Sequence, residues 1–165
     1  IDTNLIETLV PPIDRYNHQR GCGTVAKVMK EDFRDRFAVG IIDKDKVFLD
    51  YLNEFDEVTK KGNLELYKHR KKHHYFIRIS PAMEKFIMTN AELAGLSLEK
   101  FGLPTKFEYF KKITKTVDSK NDHRFKRLFQ AFAKHDLADI VLLSKWLVYL
   151  KAHNYKSELE VLKKM

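Results

Sequence analysis

Phe37-Ala38-Val39-Gly40-Ile41-Ile42-Asp43-Lys44-Asp45-Lys46 sets an apolar run, rich in β-branched residues, directly against a quartet of alternating charge. A continuous apolar stretch between charged flanks is the pattern of a strand buried on both faces, and it is expected to be the central strand of a sheet. Upstream, Gly21-Cys22-Gly23 opens a helix in which Val25, Val28 and Met29 recur at helical spacing through Phe33. Downstream, Val47 to Phe55 reads as a short helix. A buried strand between two helices implies an α/β fold with a mainly parallel sheet flanked by helices. Sheets of that kind bind ligands at the carboxyl ends of their strands, where Asp43 and Asp45 stand.

Working outward, residues 3 to 10 are apolar enough for a short helix or strand, and Pro11-Pro12 breaks it because neither proline can donate a backbone hydrogen bond. Residues 57 to 79 look extended, with Leu64 and Leu66 in alternation, a basic run over 68 to 74, and a further strand at Tyr75 to Ile79, which fits a hairpin. Ser80-Pro81 opens a helix through Met83, Phe86 and Ile87 that should stop near Gly95. Thr105 to Glu108 matches a capping box. Phe125, Leu128, Phe129 and Phe132 form one helical stripe, and Ile140, Leu143, Trp146, Leu147 and Leu150 a second. The division expected is an α/β core over 1–95 and a helical, basic portion over 96–165 packed on the same domain.

A chain of 165 residues with 44% hydrophobic content can bury one substantial core. Its single cysteine, Cys22, forms no internal disulfide, and no apolar stretch approaches the roughly 18 residues that span a bilayer. A cytoplasmic protein without a membrane partner is expected. The opening Ile1-Asp2-Thr3 resembles the end of a strand, so a further segment is expected before it. The net charge of +8 is uneven: residues 1–99 hold 16 basic and 16 acidic side chains, residues 100–165 hold 15 and 7. Clustered positive charge favours a polyanion such as nucleic acid, because binding releases condensed counterions; the competing reading is that lysine-rich helices are simply well solvated.

Two carboxylates spaced two apart at a strand's end point the same way, so Asp43 and Asp45 together suit a hard divalent cation, magnesium or manganese, through oxygen ligands. The alternative is a solvated Asp-Lys-Asp-Lys turn. AVGIIDKDK also resembles the Asp-x-Asp element of Toprim domains, the metal-binding fold of topoisomerases, primases and the overcoming-lysogenization-defect class of nucleases. That resemblance implies an opening acidic motif with Asp2 in its aspartate slot and Glu7 as the only nearby glutamate, a glycine turn at Gly21 to Gly23, and Glu84 on a later helix as a third metal ligand. It implies magnesium-dependent nuclease-like chemistry on nucleic-acid phosphodiesters, with Asp2 and Glu7 as catalytic helpers. Two other readings stand beside it. One is a binding module that keeps such a fold without the chemistry. The other is an interaction subunit of a larger bacterial system, such as defence against phage, whose helical third docks a partner or a second copy.

The candidate nucleic-acid contacts are Lys68, Arg70, Lys71 and Lys72 in the basic run and Arg124, Lys126 and Arg127 on the first helical stripe. Tyr67, Tyr75 and Phe76 beside the run suit stacking on unpaired bases, while a solvated hairpin tip explains the same residues. Zinc binding by His69, His73 and His74 is disfavoured because neighbouring residues on a strand face opposite ways and no cysteine pair assists. Cys22 with His18 is a conceivable nucleophile pair, but a small residue in a tight turn accounts for it.

Overall fold

The computed structural model describes residues 1–13, 16–44 and 50–165, and in it the apolar run becomes β1 (Ala38–Asp43). Asp45, half of the expected carboxylate pair, and the first residues of the helix expected at Val47 to Phe55 lie outside the described residues. That segment's described remainder is a 3-10 turn, Asp50–Glu54. The fold is α/β, with one four-stranded mixed sheet and seven α-helices among the described residues.

Strands β2 (Phe55–Lys61), β3 (Leu64–His69) and β4 (His74–Ile79) complete a sheet of order β1-β4-β3-β2. Only β1 and β4 pair in parallel; β4 with β3 and β3 with β2 are antiparallel. The mainly parallel sheet is therefore corrected to a mixed one, and β1 is an edge strand rather than the central one. Its burial alternates, buried then half-buried, because successive side chains point to opposite faces of the sheet. The interior strands are β4 and β3, and β4 is buried at every position except Arg78.

The chain divides into two compact units that interleave in sequence rather than parting at residue 95. The sheet unit comprises Gln19–Ala82 and Lys145–Met165. In it α2 (Cys22–Val28) runs into a π-helical turn, Met29–Phe33. Ala26 and Met29 pack with Ala38, Ile42, Tyr51, Phe55 and Phe76 in one apolar cluster. Side chains of paired residues share a face, so Ala38, Gly40 and Ile42 lie beside His74, Phe76 and Arg78, and these beside Tyr67 and Glu65. Gly40 permits the close approach of this layer. A Cβ there would come within 2.5 Å of Met29 Sδ and 2.6 Å of Phe76 Cε1, which no larger residue tolerates without displacement. The end of α6 (Ala138–His153) and α7 (Leu159–Lys164) belong to the same unit, joined where Trp146 Nε1 donates to the Leu162 carbonyl at 3.2 Å.

The helical unit comprises Ile1–His18 and Met83–Ser144. Residues 2–9 form α1 (Asp2–Leu9), because Leu5, Ile6 and Leu9 recur at helical spacing, so Asp2 begins a helix and does not end a strand. Asn4, buried, donates from its amide to the carbonyls of Ser119 and Asp122, both at 3.1 Å. Asp122 caps α5 (His123–Phe132) by accepting from Arg124 N–H, and the stripe Phe125, Leu128, Phe129, Phe132 is fully buried. The helix α3 (Met83–Leu93) closes as its glycine forecast, with Gly95 at φ +65° and Leu96 N–H returning to the Ala91 carbonyl at 2.8 Å. Lys106, rather than Thr105, precedes α4 (Phe107–Thr114), and no side chain caps it. No helix among the described residues is long and apolar enough to cross a membrane.

Candidate nucleic-acid interface

At the carboxyl end of β1, Asp43 pairs in register with Ile79, and Lys44 N–H extends the ladder to the Ile79 carbonyl at 2.7 Å. The Cys22 thiol lies 3.9 Å from the Asp43 carbonyl. On the adjoining face the acid that organises this end is Glu65, whose side chain is 2% exposed. Arg78 lies against one carboxylate oxygen, which also accepts from the Tyr67 hydroxyl at 3.1 Å; Lys60 and Lys44 approach the other at 3.1 and 3.4 Å. Burial alone would push the Glu65 carboxyl up, but the bonds from Arg78 and Lys60 outweigh it and hold the group at about 2. The carboxylate is charged at neutral pH, with a cation against each of its oxygens.

The expected ligand set does not assemble among the described residues. Asp2 sits in the first turn of α1, where burial raises its carboxyl and the charge of Glu84 adds to the rise. Glu7 lies half-buried on the same helix. Glu84, in the first turn of α3, accepts from the Thr114 hydroxyl at 3.1 Å. These three belong to the helical unit and Asp43 to the sheet unit, and no group of three metal-ligating side chains occurs among the described residues. His18 shares a hydrogen bond with Thr3 at 2.7 Å, in the unit that does not contain Cys22.

The opposite end of the sheet carries the basic run as the β3–β4 hairpin tip. His69 is buried, and its Nδ1 accepts the backbone N–H groups of Lys71 (3.0 Å) and Lys72 (3.1 Å). The ring proton is thereby fixed on Nε2, which donates to Glu54 at 3.1 Å. Burial, joined by the charges of Lys72 and Lys68, outweighs Glu54 and keeps the His69 pKa below its ordinary value. His74 is fully buried with Nδ1 2.7 Å from the Tyr51 hydroxyl; burial lowers its pKa to about 4 and raises that of Tyr51 to about 12. Neither imidazole is charged at neutral pH. Both ring nitrogens of His69 are thus engaged by protein groups.

Lys68 turns into the tip, its ammonium against the carbonyls of His69 (2.7 Å) and Lys72. It shapes the tip, while Arg70, Lys71 and His73 stand exposed on it and Lys72 is half-buried. Arg70 pairs with Asp56 at 2.9 Å across solvent. Tyr67 and Phe76 face the covered layer, and Tyr75 is buried. In the helical unit, Arg124 is occupied by Asp122 (2.7 Å) and the Gly102 carbonyl (3.2 Å). Lys126 and Arg127 are exposed, the latter over the Phe101 ring.

Two groups that sequence reading missed complete the picture. Tyr155, 55% exposed, meets His73 with ring centroids 4.9 Å apart, and its hydroxyl accepts the Phe37 N–H at 2.9 Å. Its only sequence signal is an isolated aromatic in the polar stretch His153-Asn154-Tyr155-Lys156. Glu65 was hidden by its alternation with Leu64 and Leu66, which suggests an outward face that the sheet in fact covers. The charge excess also falls differently from its sequence position: the sheet unit carries 19 Lys and Arg against 12 Asp and Glu, the helical unit 12 against 11. Comparisons with protein-family models, curated proteins and solved structures return no match.

Proposed function

We propose that this chain is a nucleic-acid-binding module whose sheet unit engages the phosphate backbone through the β3–β4 hairpin tip. The observation that carries this reading is the tip's construction. Arg70 and Lys71 stand exposed, and Lys72 half-buried, on a turn whose backbone is locked internally by His69 and Lys68, so these cations are presented without further ordering of the chain. The unit's charge excess supports it, since each phosphate neutralised releases counterions. Fluorescence anisotropy with a labelled oligonucleotide tests it. Arg70→Ala/Lys71→Ala/Lys72→Ala should weaken binding about tenfold or more at low salt, whereas Lys126→Ala/Arg127→Ala should weaken it less. Equal affinity for wild type and the tip variant would refute the assignment.

A second reading, magnesium- or manganese-dependent phosphodiester cleavage of the Toprim kind, is favoured by the position of Asp43 at the carboxyl end of β1 beside its parallel neighbour β4. Against it, Asp2 lies in a helix, and Glu65, the buried acid at that end, is saturated by cations. The described residues do not make up a donor set for the ion. Asp43→Asn/Asp45→Asn decides: magnesium should raise the Tm of wild type and not of the variant, and only wild type should cut an oligonucleotide, if this reading holds.

A further inference from the structure

Resting on the nucleic-acid reading, we infer that the ligand is single-stranded and that an unpaired base stacks on the Tyr155 ring beside the hairpin tip. Tyr155 is an aromatic held in place yet left open. Its hydroxyl is fixed by the Phe37 N–H, and its ring contacts Phe37 (6.0 Å, 63°) and His73 (4.9 Å, 74°). Neither neighbour stacks parallel on it. Asn154, the residue before it, holds a left-handed φ of 47°, a conformation that asparagine adopts more readily than most residues. The turn Asn154–Lys156 is closed by the Ser157 hydroxyl donating to the Asn154 carbonyl at 2.8 Å. The backbone is thus shaped to set a ring against the tip while more than half of its surface stays in water.

A row of rings continues inward from it, Tyr155 to Phe37 to Tyr75 (5.9 Å), with Lys68 over Tyr75. Exposed cations neighbour the two rings in sequence: Lys71 lies two residues before His73, and Lys156 follows Tyr155. An aromatic face bordered by positive charge matches an unpaired base with its phosphates, because every base offers a π-face and a duplex keeps its own stacked inside. Simple burial does not explain the ring, since a residue placed only to exclude water would not keep 55% of its surface exposed.

Anisotropy titrations of the whole chain with oligothymidine and with a duplex of equal length test the inference. Wild type should prefer the single strand by about tenfold or more, and Tyr155→Ala should weaken single-strand binding roughly tenfold while leaving duplex binding unchanged. Tyr155→Leu, which retains apolar bulk and guards against misfolding, should lose the same preference; Tyr155→Phe should keep most of it. Equal affinity of wild type for the two forms, or an unchanged preference in the folded Leu variant, overturns the stacking inference alone if the tip variant has lost binding. Absence of binding to either form overturns the function as well. Displacement of the oligonucleotide by anionic phospholipid vesicles at equal phosphate would show that the surface serves a membrane instead.

Discussion

At the Asp43 end of the sheet's covered face, Glu65 keeps a full negative charge by gathering Arg78, Lys60, Lys44 and Tyr67; at the Ala38 end of the same face, His69 and His74 are buried with no charge at all. The apolar row of Gly40 and Phe76 separates them. The first arrangement spends three cations on one structural carboxylate. The second keeps its imidazoles uncharged beneath a tip on which Arg70 and Lys71 stand exposed, Arg70 beside Asp56. The contrast sets a buried carboxylate engaged by cations at one end of this face against uncharged imidazoles beneath exposed basic residues at the other.

The largest test of this contrast is Arg78→Leu. It takes from Glu65, the member with almost no exposure, its least exposed cation and leaves one carboxylate oxygen with Tyr67 alone, and should cost about 3 kcal/mol of unfolding free energy by urea denaturation. Glu65→Gln should cost less, about 1–2 kcal/mol, because Lys60 and Lys44, roughly half exposed, can turn to water. Equal losses would mean that burial of the acid is not the controlling factor.

Acidification should separate the two ends. His74 has a folded pKa near 4 against an ordinary 6.5, so the unfolded chain binds the proton first. Its contribution is intact above pH 6.5 and is lost as pH falls toward 4, on the order of 3 kcal/mol, with His69 acting in the same direction. Glu65, depressed from 4.5 to about 2, contributes stability that is intact above 4.5 and is lost between 4.5 and 2. Urea midpoints measured against pH should show two successive declines, and His74→Phe should flatten the upper one if the ring packs.

Between the two ends, Gly40→Ala should cost about 1–3 kcal/mol through its clash with Met29 and Phe76 without shifting either pH window. The smallest effect is expected from His69→Ala, which leaves the Lys71 and Lys72 amides without their acceptor and should loosen the tip. Oligonucleotide affinity should fall by about two- to fivefold, since the tip's cations remain and only their preorganisation is lost.

Much of the fold was legible because apolar spacing dictates it. Phe125, Leu128, Phe129 and Phe132 recur at three and four residues, and a helix that buries them follows directly. The strand at Tyr75 to Ile79 was legible, but its place inside the sheet was not, because β4 reads His-Tyr-Phe-Ile-Arg-Ile and its two polar residues suggest an exposed face. Both are accommodated only by long-range partners, His74 by Tyr51 and Arg78 by Glu65, which no local pattern reveals. The exposed tip was legible as charge, but Lys68 was not distinguishable in sequence from the residues that face solvent. Tyr155 gained meaning only when the chain returned it to His73 across 82 positions. Asp45 lies outside the described residues, so the paired-carboxylate expectation rests on Asp43 alone.

The central claim, that accessible charge at the hairpin tip meets phosphates, is tested most directly by the salt dependence of oligonucleotide binding. For three to four phosphate contacts on a single strand, log K should fall linearly with log salt at a slope of about −2 to −3, and removing Arg70, Lys71 and Lys72 should bring that slope close to zero. A flat dependence for the wild-type chain, or a slope that survives removal of all three, would contradict it.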